Sequence, residues 1–349
     1  KKSELLKKIY TNKKYKNAIP YVTSYYKKNW GFCITENQRK FIQKNYKDNN
    51  IFKVVIKSNF KKSGKMYYGE IFIPGKIKDE ILISTYICHP SMANNELSGP
   101  LVSLNLAKYF AKKKSKCGLR FVFVSETIGA ISYINKNFKN LKQNVKGGYL
   151  LTCIGDERNY SLLLSKYGNS ISDLAAKDAY EKLKIKYKKY SFLRRGSDER
   201  QYNSPYIDLG ISSIMRSKHG EYKEYHTSLD KFETVVTAKG LNGGYTVVKA
   251  AIKSLMNKKK LVNRYKKNKN NPRARFICEP FLTKRNIFGG ISNLSVKKNI
   301  SFKLKNDILN FLQYSDGTNS KNDISKFINL KSKRVNQIYK ICKINNLIN

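Results

Sequence analysis

Histidine is scarce in this chain, and two of its three histidines lie where acidic residues are also found. His89 follows the apolar run ILISTYI, and Glu96 comes shortly after it. His226 ends the segment GEYKEYH. Imidazole and carboxylate groups are the usual ligands of a hydrolytic zinc ion, which keeps one position open for water. These residue types therefore predict a metal site whose chemistry is hydrolysis.

A hydrolytic site also needs a carboxylate that is free of the metal and can take the proton of the water. Two further acids follow apolar runs: Glu126 comes after LRFVFV, and Asp156 comes after GGYLLTCI. In an α/β sheet, ligands bind beyond the carboxyl ends of the strands. A single histidine at such a place is more often a hydrogen-bonded core residue. Histidines and acids that follow several strands favour an active site instead.

Continuous apolar runs alternate with amphipathic helical segments through most of the chain. The strand-like runs are residues 81–87, 119–124, 147–154 and 211–215. Two shorter runs, IFKVVIK and YYGEIFI, predict further strands ahead of them. Ser98 followed by Pro100 predicts the start of a helix, with the Ser98 hydroxyl as its cap. The whole pattern predicts an α/β fold with a mixed central sheet and helices on both faces.

The rhythm changes near residue 306, where three short helices are predicted up to the end of the chain. Their size is typical of a small all-α module of the helix-turn-helix or winged-helix type. We therefore divide the chain into an N-terminal helix and loop segment (residues 1–50), an α/β domain (51–300) and this module (301–349).

The chain carries 70 Lys and Arg against 24 Asp and Glu, a formal net charge of +46. Such a balance is typical of proteins that bind nucleic acid or another anion. The lysines are scattered along the whole chain, however, which indicates a compositional bias. The last predicted helix begins with Lys331, Lys333 and Arg334, but basic residues are no more frequent there than elsewhere in the chain. Little room is left after this helix for the wing of a winged helix. We expect no nucleic-acid partner, while an anionic substrate stays open.

The six cysteines form no C-x-x-C pair, and several lie in apolar runs. That distribution is typical of buried thiols in a reducing compartment, so we expect a cytoplasmic protein. No apolar run approaches the roughly 18 residues of a membrane-spanning helix, so we expect no membrane partner. The chain begins at Lys1 inside a helical pattern, and we expect further residues upstream.

Three long motifs resemble a known family. STYICHPSMANNELSGP, FVFVSETIGAISYI and EYHTSLD resemble the di-zinc aminopeptidase superfamily, which includes glutamate carboxypeptidase-like and glutaminyl cyclase-like proteins. GGYLLTCIGDERNYS, RRGSDERQYNSP and MRSKHGEYKEYHTSLD are similar to one subgroup. Its members are aminopeptidase-like proteins with a C-terminal winged helix, linked to polysaccharide biosynthesis. The resemblance implies a zinc-exopeptidase-like fold and hydrolysis of an amide or peptide bond.

The resemblance also implies roles for single residues. His89 and His226 match the metal histidines of the family, and Glu126 matches its general base. Asn95 stands where the family has an aspartate that bridges two metals, and Thr127 stands where a second glutamate binds metal. Neither side chain is a good substitute for a carboxylate ligand.

We therefore expect about one zinc ion per chain, held by His89, His226 and one carboxylate. Glu96 and Asp156 are the candidates for that carboxylate. The motif SFLRRGSDERQYNSP is expected to form a substrate-binding loop over the metal.

Four residues are expected at the substrate. Asp198 is suited to a substrate amine, Arg200 or Arg216 to an anionic group, and Asn95 lies in the same motif as the metal ligands. The substrate is expected to be a peptide or a small molecule. One alternative is amide chemistry on an aminosugar or other metabolite. Another, favoured by Asn95 and Thr127, is a catalytically degenerate binding protein. A homo-oligomer is left open.

Overall fold

A seven-stranded mixed sheet lies at the centre of the molecule, as the alternating apolar runs predict. The computed structural model describes residues 1–23, 29–59, 61–259, 267–282 and 301–349. Within them, a two-stranded pair near the N-terminus accompanies the large sheet. The strands, in chain order, are β1 (Ile9–Tyr10), β2 (Phe32–Cys33), β3 (Gly69–Ile73), β4 (Gly75–Tyr86), β5 (Ser115–Val124), β6 (Val145–Leu151), β7 (Ser161–Leu163), β8 (Lys188–Tyr190) and β9 (Ile211–Met215).

Helices of very different lengths accompany these strands. They are α1 (Lys2–Lys7), α2 (Glu36–Asn45), α3 (Ser98–Ala111), α4 (Ile128–Asn144), α5 (Ile171–Lys182), α6 (Glu199–Tyr202), α7 (Ala238–Asn257), α8 (Ser301–Tyr314), α9 (Lys321–Phe327) and α10 (Ser332–Ile344). Among the described residues, none of the helices is both long and apolar enough to cross a membrane.

The order of strands in the large sheet is β3-β5-β4-β6-β9-β7-β8. The four strands β5, β4, β6 and β9 are parallel to their neighbours within this group. Strand β3 pairs antiparallel with β5, and β7 pairs antiparallel with β9. Because parallel strands end at the same edge of a sheet, the segments that follow these four strands meet there.

Helices cover both faces of the sheet, which confirms the predicted fold class. Ile81 and Ile83 of β4 enter a core shared with α3, α5 and α7. Leu82 points to the other face, where it clusters with Tyr133 and Leu141 of α4. Successive residues of one strand therefore face two apolar layers, which is why the strand runs are apolar without alternation.

One predicted strand does not form. YYGEIFI contains β3, but residues 51–57 (IFKVVIK) have no regular secondary structure. Ile51 is 88% exposed and Val55 is 62% exposed. A β-branched run makes a strand only when a neighbouring strand edge and a packing surface accept it, and its propensity alone is weak.

The C-terminal helices share an apolar core with the end of the sheet. Phe311 of α8 and Ile338 of α10 lie in one cluster with Leu163 of β7 and Met215 of β9. The module is therefore packed on the α/β domain and does not hang from a linker.

Residues ahead of α8 add short backbone bridges to this module. Ala274 bridges Ile348, and Arg273 bridges Asp316, both antiparallel. The predicted domain boundary after residue 300 adjoins residues 283–300, which lie outside the described residues. The boundaries of the three predicted segments therefore stay predictions.

We predict that Gly148→Ala in β6 destabilises the protein by about 2–3 kcal/mol, because overpacking a close-packed interior strains the backbone. A Cβ atom at Gly148 would lie 1.9 Å from the backbone oxygen of Leu82 in β4. Gly69→Ala is the matched control, since its Cβ would meet only Phe123 carbons at 3.7 Å or more. Urea unfolding should show a large loss for the first variant and none for the second. Equal stabilities would contradict the packing described here.

Candidate active site

His89 presents its two ring nitrogens to two different carboxylates. It lies just beyond β4, and its side chain is 4% exposed. Its Nδ1 atom is 3.3 Å from Oε2 of Glu96, and its Nε2 atom is 3.6 Å from Oε2 of Glu126. Oε2 of Glu96 also accepts a hydrogen bond from the backbone N–H of His89 at 2.7 Å. Glu96 thus fixes the ring, as carboxylates commonly do for metal-binding histidines.

His226 is the histidine that lacks a polar partner. Neither ring nitrogen has a hydrogen bond within the described part of the chain, although both are buried. The ring stacks on Tyr225 at 3.9 Å and lies 5.2 Å from the ring of His89. Burial, followed by the nearby charge of His89, lowers the pKa of His226 to about 3. The ring is therefore neutral at physiological pH, which is the form that binds a metal.

A short π-helical turn, Ala93–Leu97, carries Asn95 and Glu96 into the site. It runs directly into α3, so the predicted cap at Ser98 is wrong: the Ser98 hydroxyl donates to the Asn94 carbonyl at 2.6 Å. The carboxylate of Asp230 accepts the backbone N–H groups of Asn94 and Asn95 at 2.8 and 2.9 Å. Single π-turns of this kind often occur at functional sites.

Asn95 itself is completely buried. Its Nδ2 donates to the Tyr86 hydroxyl at 2.5 Å, while its Oδ1 has no partner among the residues described. The ring of Tyr86 lies 5.2 Å from that of His89. A buried acceptor without a donor is uncommon and calls for an explanation. Together with the nitrogens of His226, this oxygen fits a site that binds a cation.

Cys88 is a residue that the sequence motifs did not single out. The ligand atoms of Cys88, His89 and Glu96 all lie within 4.8 Å of one another. Its Sγ is 3.3 Å from Nδ1 of His89 and accepts the backbone N–H of Glu126 at 3.2 Å. Burial raises the pKa of the Cys88 thiol to about 12, so it is protonated without a metal. The direct Cys-His sequence was the only signal for it.

Asp156 is committed to other contacts. Its two oxygens accept hydrogen bonds from Nδ2 of Asn94, from the backbone N–H of Arg158, and from both the N–H and the hydroxyl of Ser217. Asp156 thereby joins the segments that follow β6 and β9 to the π-helical turn. Of the two candidate carboxylates, Glu96 is the one in contact with His89.

Glu126 lies two residues beyond β5, close to the end of β4. Its Oε1 accepts the hydroxyl of Ser197 at 2.6 Å, and its Oε2 faces His89. Burial raises the pKa of Glu126, while His89 and the Ser197 hydroxyl act in the opposite direction. A carboxyl group whose pKa is raised by burial has the character of a general base.

Asp198 and Arg200 both contact Thr127. Asp198 is buried, and its Oδ1 accepts the backbone N–H of Thr127 at 2.7 Å. Burial and the nearby charge of Glu126 raise the pKa of Asp198. Nη2 of Arg200 donates to the Thr127 hydroxyl at 2.7 Å. The predicted substrate role of both residues stays a prediction, and both contact Thr127, the residue that follows Glu126.

Arg216 is the last of the candidate residues from the sequence, and His219 is the third histidine of the chain. The Arg216 guanidinium lies 3.7 Å from the centre of the Tyr160 ring, and its Nε donates to the carbonyl of Asn159. Arg216 therefore contacts the segment between β6 and β7. Burial lowers the pKa of His219 to about 4, and its Nε2 has no partner in the ranges described.

Tyr21 is a second residue that the sequence did not indicate. Its ring lies 5.1 Å from the ring of His89 and 5.3 Å from that of His226. Its backbone N–H donates to the carbonyl of His226 at 2.8 Å. The segment predicted as a separate N-terminal region thus contributes to the site. The signal available for Tyr21 in the sequence is the aromatic-rich stretch YVTSYYKKNWGF, in which it stands.

Comparison with known families matches two regions of the chain. Residues 13–258 match a family described as a domain of unknown function (DUF4910). Residues 270–349 match a winged helix-turn-helix family, which confirms the predicted winged-helix module.

Two relatives that match most of the chain come from Clostridium acetobutylicum. One, provisionally described as a polysaccharide biosynthesis protein with an aminopeptidase-like domain, is 36% identical over 323 residues, 92% of this chain and 68% of the relative. A crystal structure from the same species, provisionally described as a peptidase, is 33% identical and has a TM-score of 0.67. That match covers 99% of this chain and 74% of the other.

A zinc aminopeptidase from Bacillus subtilis is 17% identical, with a TM-score of 0.44 over 52% of this chain and 48% of its own. The family assignment rests on the Clostridium relative and the DUF4910 match, since they cover most of the chain. This chain therefore belongs to the family of aminopeptidase-like proteins that carry a C-terminal winged helix-turn-helix module.

Proposed function

We propose that this protein is a zinc-dependent hydrolase of amide or peptide bonds, with the ion held between His89 and His226. The observation that carries the proposal is the pair of buried, unpartnered ring nitrogens of His226, opposite His89. Two imidazoles on one tetrahedral zinc ion have ring centres roughly 5 Å apart, given Zn–N distances of about 2.1 Å. The observed separation of 5.2 Å fits that expectation.

Asn95 is the third group that we propose for the ion, because its buried Oδ1 lacks a donor. An amide oxygen is neutral, so it binds zinc more weakly than a carboxylate does. Glu96 then orients His89 through Nδ1, and Asp156 supports the surrounding segments. The alternative position for the ion uses Cys88, His89 and Glu96. Only the first position depends on His226.

A bound zinc ion supplies a Lewis acid, which makes water a better nucleophile and polarises a carbonyl group. Glu126 is the proposed general base: it accepts the proton of the attacking water and returns it to the leaving nitrogen. The hydroxyl of Ser197 fixes one of its oxygens, so the other stays directed towards His89. The carboxylate therefore contacts Ser197 and His89, which supports the role of base.

The substrate class is open between peptides and other amides. The description of the Clostridium relative supports an amide of a surface-polysaccharide precursor, such as an N-acylated aminosugar. Asn95 and Thr127, in contrast, support a binding protein that has lost catalysis. Metal content and turnover separate these alternatives. The absence of a nucleic-acid partner and a cytoplasmic location stay predictions.

We predict about one zinc ion per chain by elemental analysis of the purified protein. His89→Ala and His226→Ala should each lose it, because each removes one of the proposed imidazole ligands. His219→Ala is the control, since this third histidine is not a proposed ligand, and it should keep the metal. If His226→Ala retained the metal while His89→Ala lost it, the alternative position at Cys88, His89 and Glu96 would be supported instead. Two ions per chain would contradict the single site.

We predict that Asn95→Asp binds zinc about 10-fold or more tightly than the wild type, because a carboxylate adds a charge next to the cation. Competition with a chelating dye measures the dissociation constant. Asn105→Asp, on the exposed side of α3, adds the same charge away from the π-helical turn and should leave the zinc affinity unchanged. An unchanged affinity for Asn95→Asp would show that Asn95 is not a ligand.

We predict that Glu126→Gln keeps its fold and metal but loses activity by about 10²–10⁴-fold, the usual contribution of a positioned acid–base group. Turnover is measured on amino-acid p-nitroanilides and N-acylated aminosugars. Glu157→Gln is the matched control, because that carboxylate contacts Thr237 and Lys239 instead. A variant that melts at lower temperature yet retains full turnover would show that Glu126 is not the base.

A further inference from the structure

Glu126 is followed by a strained turn. Thr127 has a φ of 64° and a ψ of −72°, and the N–H of Ile128 donates to the carbonyl of Glu126 at 2.8 Å. These values define a γ-turn of the rare form with positive φ, which costs conformational energy. A β-branched residue such as threonine is particularly disfavoured there. Contacts from elsewhere must therefore hold the turn in place.

The segment Ser197–Arg200 supplies those contacts. The carboxylate of Asp198 accepts the N–H of Thr127, and Arg200 donates to its hydroxyl, both at 2.7 Å. Ser197 donates to the carboxylate of Glu126 at 2.6 Å. One short segment thus contacts the turn through two residues and the proposed base through a third. These three side chains therefore connect the turn and the proposed base to one segment of the chain.

The winged-helix region, taken as residues 270–349 of the family match, in turn contacts this segment. Oε1 of Glu279 lies 3.6 Å from Nη1 of Arg200. Nε2 of Gln313, on α8, donates to the carbonyl of Arg200 at 3.0 Å and to Oε2 of Glu279 at 3.1 Å. The N–H of Glu279 donates to Oε1 of Gln201 at 3.0 Å. The Glu279 side chain is 6% exposed and Gln313 is 1% exposed, while the Arg200 side chain is 26% exposed. Water therefore competes little for the contacts of Gln313.

We propose that Glu279 and Gln313 are positioning residues: they act through Arg200 on the strained turn that directs Glu126 towards His89. The winged-helix module is then a structural part of the active site. This inference rests on the proposed role of Glu126 as general base. The contacts run from Glu279 to Arg200, from Arg200 to Thr127, and along the backbone to Glu126. A misplacement of a catalytic group by about 1 Å can cost about 100-fold in rate.

The test compares Glu279→Gln with wild type in the full-length, zinc-loaded protein. The variant keeps the shape of the side chain but loses its charge, so Arg200 is held less firmly. We expect amide hydrogen exchange in the peptide spanning residues 125–129 to be about 10-fold faster. The kcat on the best substrate of the panel should fall about 10-fold, with KM within about 2-fold. Zinc content should not change.

Asp307→Asn is the matched control. It breaks the ion pair between Asp307 and Arg334, which lies within the same module and does not involve the segment Ser197–Arg200. Its exchange at 125–129 and its kcat should equal those of the wild type. Equal effects of Glu279→Gln and Asp307→Asn on both readouts would overturn the proposal, because they would show only a general loss of stability.

Thr127→Gly provides a second, independent measurement. Glycine adopts positive φ without the cost that threonine carries, so the turn should depend less on its supports. Glu279→Gln should therefore accelerate exchange at 125–129 less in the Thr127→Gly background than in the wild type. An equal acceleration in both backgrounds would overturn the proposal. The exchange readout needs no substrate, so it stays decisive even if Glu126→Gln shows that Glu126 is not the base.

Discussion

The parallel alignment of β5, β4, β6 and β9 is the constraint on which the site depends. It brings the segments after four separate strands to one edge of the sheet. His89, Glu126 and Asp156 follow three of these strands, and helices on both faces exclude water from the strands themselves. Polar groups at this edge are therefore desolvated. Desolvation keeps His226 neutral, raises the pKa of Glu126, and makes every unpaired ligand atom costly without a partner.

Sequence patterns were sufficient to predict the parts of the molecule that depend on local or periodic features of the chain. Apolar runs gave the central sheet and both covering layers, and strand ends located His89 and Glu126. Long motifs identified the family, which the comparisons confirm. The run IFKVVIK shows the limit of this reasoning: a strand requires an accepting edge, and no local pattern reveals whether one is within reach.

Contacts across long sequence separations could not be read in the same way. Tyr21 lies against His89 and His226, although it is far from both in the sequence. Glu279 lies against Arg200 across a similar separation. Only the folded chain brings these residues together. For Asp198 and Arg200 the residue types suggested a substrate loop, yet their contacts are with Thr127. A charge pattern gives the chemistry of a side chain but not the direction in which it points.

The support of Glu126 by residues from the winged-helix region has a consequence for synthesis on the ribosome. Domains generally fold in the order in which they emerge. Strands β3–β9 and the two histidines are complete before Gln313 has been translated. The residues of the sheet and the two proposed metal ligands have therefore emerged while the turn at Thr127 is still without its full support. Under the function proposed above, full activity would therefore require translation to proceed at least as far as Gln313, and a product that ends earlier would lack this support for the turn.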